Sequence, residues 1–375
     1  MIEHGKISNL QLSVLIITYI IGTSIITVPS TVTITAKQDG WLSAILALGI
    51  GVLIAYINGV LAERYPSLTL PQTIEKILGK WLGIPISILY FLFFLLLTTT
   101  FLRVVGDLIT THILPETPIQ AIEILFLLTI IMAVKLGLEP IGRTSEMLFP
   151  HIILFVLFAV LFLLPHIEID NLTPVLENGM APVFHGTFDI LGAPYLNIII
   201  FLMITPFVNE RKKFTWNFVI STIIGGIIII VITTLSISVL GADTTSRLNF
   251  APFMLAQKID IGNFIQRIEV ISGGLIFITL FLKTVVSFFA CTLSIAQTLR
   301  LNNYKILTFP LAFFVQAFSI TFYPNIIYFH DFIIHVWTPF TFILGLVIPL
   351  LLLFVDFARS KFQKNKNQEV SNPVS

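Results

Sequence analysis

Long apolar runs separated by short polar stretches set the pattern of this chain. A helix needs roughly 20 mostly apolar residues to cross a bilayer. Ten runs have that length, near residues 10–35, 41–62, 82–110, 119–136, 147–165, 187–209, 214–240, 267–298, 304–323 and 333–357. The pattern predicts an all-α polytopic membrane protein with about ten transmembrane helices, spans 1 to 10. Residues 1–360 form a single integral membrane domain, and 361–375 a polar, disordered cytoplasmic tail. Residues 66–80 ("PSLTLPQTIEKILGK") read as a short interfacial helix, and 166–186 as an outer loop with acids but no Lys or Arg. Residues 248–262 mix apolar and polar positions, as an outer lid helix or a plain interfacial segment does.

Five spans fall in residues 10–165 and five in 187–357. An odd number per half means that the second half enters the membrane upside down, the geometry of inverted-repeat transporters. Their binding sites form where the first helix of each half is unwound. Span 1 carries Gly22, Thr23 and Ser24 at mid-run ("ITYIIGTSIITVPS"), and span 6 carries Gly192, Ala193 and Pro194 before Tyr195 and Asn197. Gly22 lies 15 residues before Lys37 and Gly192 lies 18 before Glu210, so the two weak points have comparable depth. Backbone groups freed by a break are costly in lipid and survive where they face a cavity. The second half of span 1 then aims its partly positive N-terminus at the membrane centre, which suits a carboxylate. Thr23, Ser24 and Thr27 add hydroxyl donors; Tyr195 supplies an aromatic wall and Asn197 a donor and an acceptor. The competing reading is close helix packing at Gly, Ser and Thr, with a simple kink at Pro. Two breaks at repeat-equivalent positions favour the cavity.

Composition supports the membrane assignment: 56% of residues are hydrophobic and 11% charged, with mean hydropathy +0.97. Soluble domains carry about 25% charged residues. The net charge of +1 gives no reason to expect a nucleic-acid partner. The single cysteine, Cys291, excludes an internal disulfide framework and reads as apolar filler. The first apolar run has full membrane length and no strong basic leader, so it is expected to stay as a span and not to be cleaved. With both termini cytoplasmic, fifteen of the 21 Lys and Arg fall in inner segments. Four fall outside (Lys37, Arg247, Lys258 and Arg267), and Arg103 and Lys283 lie within spans. That asymmetry puts the termini in the cytoplasm.

Several stretches carry a family resemblance. "ISNLQLSVLIITYIIGTSIITVPS" (7–30) resembles the first helix of the B subunits of bacterial spore germinant receptors, a branch of the amino acid–polyamine–organocation permease superfamily. Arg103 and Asp107 in "FLRVVGDLI", followed by "LPETP" (114–118), are similar to that family's Arg–acid pair before a Leu-Pro-x-Thr-Pro turn. "GLEPIGRTSEMLFP" (137–150) and "FLMITPFVNERKKF" (201–214) resemble its approach to span 5 and its exit from span 6. The motifs fall in order over nearly the whole chain. One position departs: many members carry Gly-Glu in the span 6 break, where this chain has Leu196-Asn197, so a carboxylate for a ligand amino group is missing there. The resemblance implies a LeuT-like 5+5 inverted repeat and a nutrient sensor for small solutes, commonly amino acids, in the spore inner membrane. It also implies a larger membrane A subunit and a lipoprotein C subunit as partners. No cofactor is implied.

The remaining charges are weighed against that frame. Lys283 lies near the middle of span 8, where a lysine costs about 2.5–3.5 kcal/mol on insertion scales and therefore faces a cavity or a partner. It either snorkels, tethers span 8, or replaces a coupling cation beside span 1. Arg103 and Asp107, spaced i,i+4, pair for insertion or form a gate. Glu139, Arg143 and Glu146 are either a solvated surface or an ion-pair latch on the inner side. His330, Asp331 and His335 have metal-ligand side chains but read as a wet loop, and no metal site is expected. There is no nucleophile–base pairing, phosphate loop or acid cluster within spans, so a sensor or a transporter is expected and an enzyme is not.

Overall fold

Two interruptions divide the first apolar stretch. In the computed structural model, α1 (Asn9–Ile21) ends at Gly22, α2 (Ser24–Ala36) follows, and a 3-10 turn at Lys37–Asp39 leads into α3 (Gly40–Arg64). The structure describes the chain except residues 1, 2, 4, 210–212, 259–267, 324–327, 329–331 and 372–375. Asn9–Arg64 is 56 residues, about 84 Å of helix at 1.5 Å per residue, enough for two crossings. Among the described residues eight further segments are long and apolar enough to cross.

The next helices are α4 (Leu70–His112), α5 (Ile119–Leu136), α6 (Leu138–Leu163), α7 (Ala181–Leu191) and α8 (Phe214–Leu240). Two short helices, α9 (Ala242–Arg247) and α10 (Ala251–Gln257), precede α11 (Ile268–Thr298) and α12 (Thr308–Phe322). The last span joins α13 (Thr338–Phe342) to α14 (Ile348–Ser371) through a π-turn at Ile343–Val347. Local chemistry explains several starts and stops. Ser8 with Gln11, and Thr69 with Gln72, form reciprocal capping boxes that open α1 and α4. Gly79, at φ 79°, kinks α4, so the interfacial segment expected at 66–80 is its first turns, joined to span 3.

Three expectations are corrected. Span 6 begins at Ala181, ahead of residue 187, because Pro182 sits in the first turn, where its missing N–H costs nothing. The outer loop is correspondingly shorter than 166–186, with 3-10 turns at Leu164–His166 and Ile169–Leu172. The tail expected to be disordered instead continues α14 to Ser371, since no breaker intervenes before Pro373. For residues 248–262, the described part is α10, whose Pro252, Phe253 and Leu255 are buried and which packs against α2, α8 and α11.

Four of the five spans of the first half pack against the counterpart five later. α2 lies against α7, α3 against α8, α4 against α11 and α5 against α12. The structure is thus a LeuT-type 5+5 repeat. Spans 6 and 8 form its centre: 83% of the apolar window in each is buried, against 22% for span 5. The second half of span 6 is an eight-residue 3-10 helix, Leu196–Met203, then a 3-10 turn at Thr205–Phe207. Such runs rarely exceed three or four residues. This one is held by close neighbours: the Leu196 carbonyl oxygen would lie 2.2 Å from a Cβ added at Gly345.

At the end of the bundle bearing the N-terminus, Ile7 pairs with the exit of span 6. Its N–H donates to Phe207 O at 2.9 Å and its carbonyl accepts from Asn209 N at 3.0 Å. Tyr304 donates to Glu3 Oε2 at 2.5 Å, and Gln11 donates to Glu146 at 3.0 Å. Of the expected inner ion-pair set, Arg143 pairs with Glu139 on an exposed face, while Glu146 is held by span 1. Residues 210–212, 267, 330 and 331 lie outside the described residues, and with them part of the basic cluster, Arg267 and the His330–Asp331 pair.

Candidate ligand site at the paired helix breaks

The break in span 1 is shaped by its neighbour. Gly22 closes α1 by donating to Thr18 O at 2.9 Å, and Thr23 leads into α2 without capping it by its side chain. A Cβ at Gly22 would come within 2.3 Å of Lys283 Cδ. Glycine is required here because the lysine stem of span 8 crosses directly over the backbone.

The break in span 6 runs from Gly192 to Tyr195, between α7 and the 3-10 segment. Gly192 rests against Thr338 of span 10, where a Cβ would meet Thr338 Oγ1 at 2.7 Å. The side chain of Tyr195 occupies a slot made by Gly51 of α3 and Gly226 of α8; an added Cβ would lie 2.4 Å from its ring at Gly51 and 2.7 Å from its hydroxyl at Gly226. The aromatic wall expected from Tyr195 is therefore corrected: two glycines admit its ring between spans 2 and 7, where it anchors the break.

Lys283 joins the two breaks. It is fully buried, and its Nζ donates to Thr23 Oγ1 at 2.8 Å and to Ala193 O at 3.3 Å. The ammonium also lies over the rings of Tyr19, 5.0 Å from the centroid, and Phe101, 4.8 Å, a favourable arrangement for a desolvated cation. Tyr19 is fixed in turn by an edge contact with Phe201 and by Ser287, whose hydroxyl donates to Lys283 O. Among the described residues no carboxylate lies within 4.0 Å of Lys283. Two buried polar atoms at the breaks have no partner among them, Ser24 Oγ and Asn197 Oδ1. Asn197 Nδ2 donates to Ala193 O at 3.3 Å, and Thr27 Oγ1 to Thr23 O at 3.1 Å.

The structure therefore brings together Gly22, Thr23, Ala193 and Lys283, keeps Ser24, Gly192 and Asn197 beside them, and directs Thr27 and Tyr195 to local packing. Tyr19 and Phe101 were missed. Tyr19 precedes Gly22 by three residues, one helical turn, which was a usable signal.

Arg103 and Asp107 belong to a different cluster. Arg103 Nε donates to both Asp107 oxygens at 3.0 Å, and its Nη1 reaches Tyr323 O at the end of α12. Sequence reasoning found no acid cluster in the spans, yet Glu123 of α5 is fully buried nearby. It accepts from Ser319 Oγ at 2.5 Å and from Gln316 Nε2 at 2.7 Å, and Ser319 O faces the same guanidinium at 3.4 Å. Gln316 and Ser319, spaced i,i+3 on span 9, were the available signal. The cluster ties spans 3, 4 and 9 into one scaffold.

The repeat, its two interrupted spans and the buried cation between them define a multi-pass helical membrane protein of the LeuT-fold class. Residues 6–327 match the family profile described as "Spore germination protein", and the chain belongs to that family. It is similar to Spore germination protein KB of Bacillus subtilis (strain 168), at 28% identity over 98% of this chain and 99% of the relative. It is also similar to Spore germination protein A2 of the same organism, at 26% identity over 70% and 73% of the two chains. Among solved structures, Mhp1, a nucleobase-cation-symport-1 family transporter with bromovinylhydantoin bound, superimposes with a TM-score of 0.65 at 13% identity, covering 88% of this chain and 74% of its own. MhsT in complex with L-phenylalanine gives 0.63 at 15% identity, covering 93% and 97%. These likenesses support a germinant receptor or permease-like protein with a small-molecule ligand, and they suggest a non-enzymatic role.

Two outcomes follow from the packing. Gly22→Ala should destabilise the protein by about 1–3 kcal/mol through overpacking, and Lys283→Ala in the same chain should recover part of that loss; a thermal-unfolding double-mutant cycle in detergent measures the coupling. Arg103→Gln should cost about 3–5 kcal/mol, because it leaves Asp107 and Glu123 without a counter-charge in the membrane. Asp107→Asn should cost less, as the same unfolding assay would show.

Proposed function

We propose that the chain is the solute-sensing subunit of a spore germination receptor, binding an amino acid-like molecule where spans 1 and 6 are interrupted. The observation that carries this reading is Lys283, whose ammonium touches both interruptions at once. Gly22, Thr23 and Ser24 form one wall and Gly192, Ala193 and Asn197 the other, with Thr27 bonded back to Thr23 O and Tyr195 holding the second wall in place. The ligand carboxylate meets the N–H groups at the start of α2, where the helix dipole favours negative charge. Lys283 supplies the fixed positive charge that a coupling cation supplies in ion-driven carriers. Arg103 and Asp107 keep the scaffold rigid while spans 1 and 6 respond.

Binding shifts the population between two arrangements of spans 1 and 6 against that scaffold, by as much as the ligand's affinities for them differ. In a receptor the shift is read by the A and C subunits. The second reading, a secondary transporter of amino acids or related solutes, is favoured by the neighbouring fold of Mhp1, a transporter, and by that of MhsT, seen in complex with L-phenylalanine. The protein sits in the spore inner membrane with both termini in the cytoplasm.

Purified protein in proteoliposomes, screened with labelled amino acids and nucleosides, should bind one class saturably, with no label reaching the lumen; saturable uptake would make it a transporter. Replacing sodium with choline should leave binding unchanged, and a strict sodium requirement would contradict the role given to Lys283. Because Cys291 is buried, added cysteines report orientation. Glu177→Cys should react with an impermeant maleimide in intact cells and Lys361→Cys only after lysis; the opposite pattern would reverse the topology.

A further inference from the structure

We infer that Lys283 is the ligand's counter-ion, so that the site reads a small carboxylate by its negative charge, with an α-amino group dispensable. The inference rests on the binding site proposed above and names the chemistry of its occupant. An ammonium has three N–H donors. Lys283 uses two, on Thr23 Oγ1 and Ala193 O, and the third has no acceptor among the described residues. The charge itself is also unpaired there. The carboxylates of the neighbouring spans are engaged elsewhere: the buried Asp107 by Arg103, the buried Glu123 by Ser319 and Gln316, and the half-buried Asp189 by Thr35. A buried charge without a partner is costly, and two ring faces and two neutral acceptors offset only part of that cost.

The surroundings repeat the same sign. α2 has 13 residues and starts at Ser24 with no side-chain cap: Thr23 has helical backbone angles, and its hydroxyl accepts from Lys283. Ser24 is fully buried with an unpartnered hydroxyl. A free N–H, a free hydroxyl and an uncapped helix start thus converge on one place, each suited to an anion. Among the described residues the acceptors left for a cation at the breaks are neutral. The Ala193 carbonyl is already shared by Lys283 and Asn197, and the break carries Asn197 in place of a carboxylate. The Asn197 Oδ1 acceptor is neutral and suits a hydroxyl or an amide N–H as well as an amine. A monoanion brings the site to zero net charge, a zwitterion leaves it at one positive charge, and an amine cation raises it to two. The order of affinity follows: carboxylate first, zwitterion next, carboxyl-blocked amine last.

The test uses matched probes on the full chain in proteoliposomes: L-alanine, L-lactate and L-alaninamide, with the corresponding leucine set. In wild type the acids should bind and the amides should be weaker by at least about 30-fold, the loss expected when one partner of a buried charge pair is removed. L-lactate should bind at least as well as L-alanine. Lys283→Gln should abolish the acid–amide difference, and its thermal unfolding in detergent verifies that the variant is folded. Because the probe series is read on wild type, the inference can fail whatever the variant does. Amides that bind as well as acids would overturn the counter-ion role while leaving the site at the breaks standing. Acids that bind only with an α-amino group would overturn its dispensability. If no probe binds the folded wild type, the amino acid-like reading fails, and this inference fails with it.

Discussion

The architecture depends on one buried contact, the ammonium of Lys283 held between Thr23 of span 1 and Ala193 of span 6. An isolated cation in a low-dielectric interior is costly, so it persists only where the neighbouring backbone and hydroxyls turn towards it. That demand explains why both spans are interrupted at the same depth. The span 6 break offers the backbone carbonyl of Ala193, and the span 1 break places the Thr23 hydroxyl opposite it. The cation and the breaks are therefore one device, shared among three spans that the chain order separates by more than 250 residues: Thr23 and Lys283 are 260 apart.

Around this contact small residues set the distances. Gly22 lets the lysine stem pass, Gly51 and Gly226 admit the Tyr195 ring, and Gly345 meets the Leu196 carbonyl. In lipid, helices associate through close packing and polar contacts, since burial of apolar surface brings little. The scaffold uses the second route: Arg103, Asp107 and Glu123 fasten spans 3, 4 and 9 with charge-assisted hydrogen bonds. In the proposed function, this fastened group of spans is the frame against which the two interrupted spans respond to a ligand.

Much of this was legible in the sequence, because hydropathy and parity are global signals. Ten apolar runs in two sets of five required an inverted repeat, and Gly22 and Gly192 marked its weak points. What could not be read was which side chains meet. The periodicity of span 6 gives no warning that Leu196–Met203 winds as a 3-10 helix, since its residues are buried on every side. Tyr195 was misplaced for a related reason: an aromatic beside a break resembles a wall until the glycines of two distant spans are known to receive it. Glu123 was overlooked because its partners, Gln316 and Ser319, lie about 190 residues away. Close helix packing and a ligand cavity at the breaks were the rival readings of the same glycines. At Gly22 the structure shows close packing, since the Lys283 stem crosses it, and the same lysine donates to Thr23.

The most direct test of the central claim is a density map of the chain in lipid at saturating L-lactate. The account predicts ligand density between the start of α2 and the Lys283 ammonium, in contact with Ser24 and facing Asn197. Density seated elsewhere, with Lys283 still closed on Thr23 and Ala193, would contradict it.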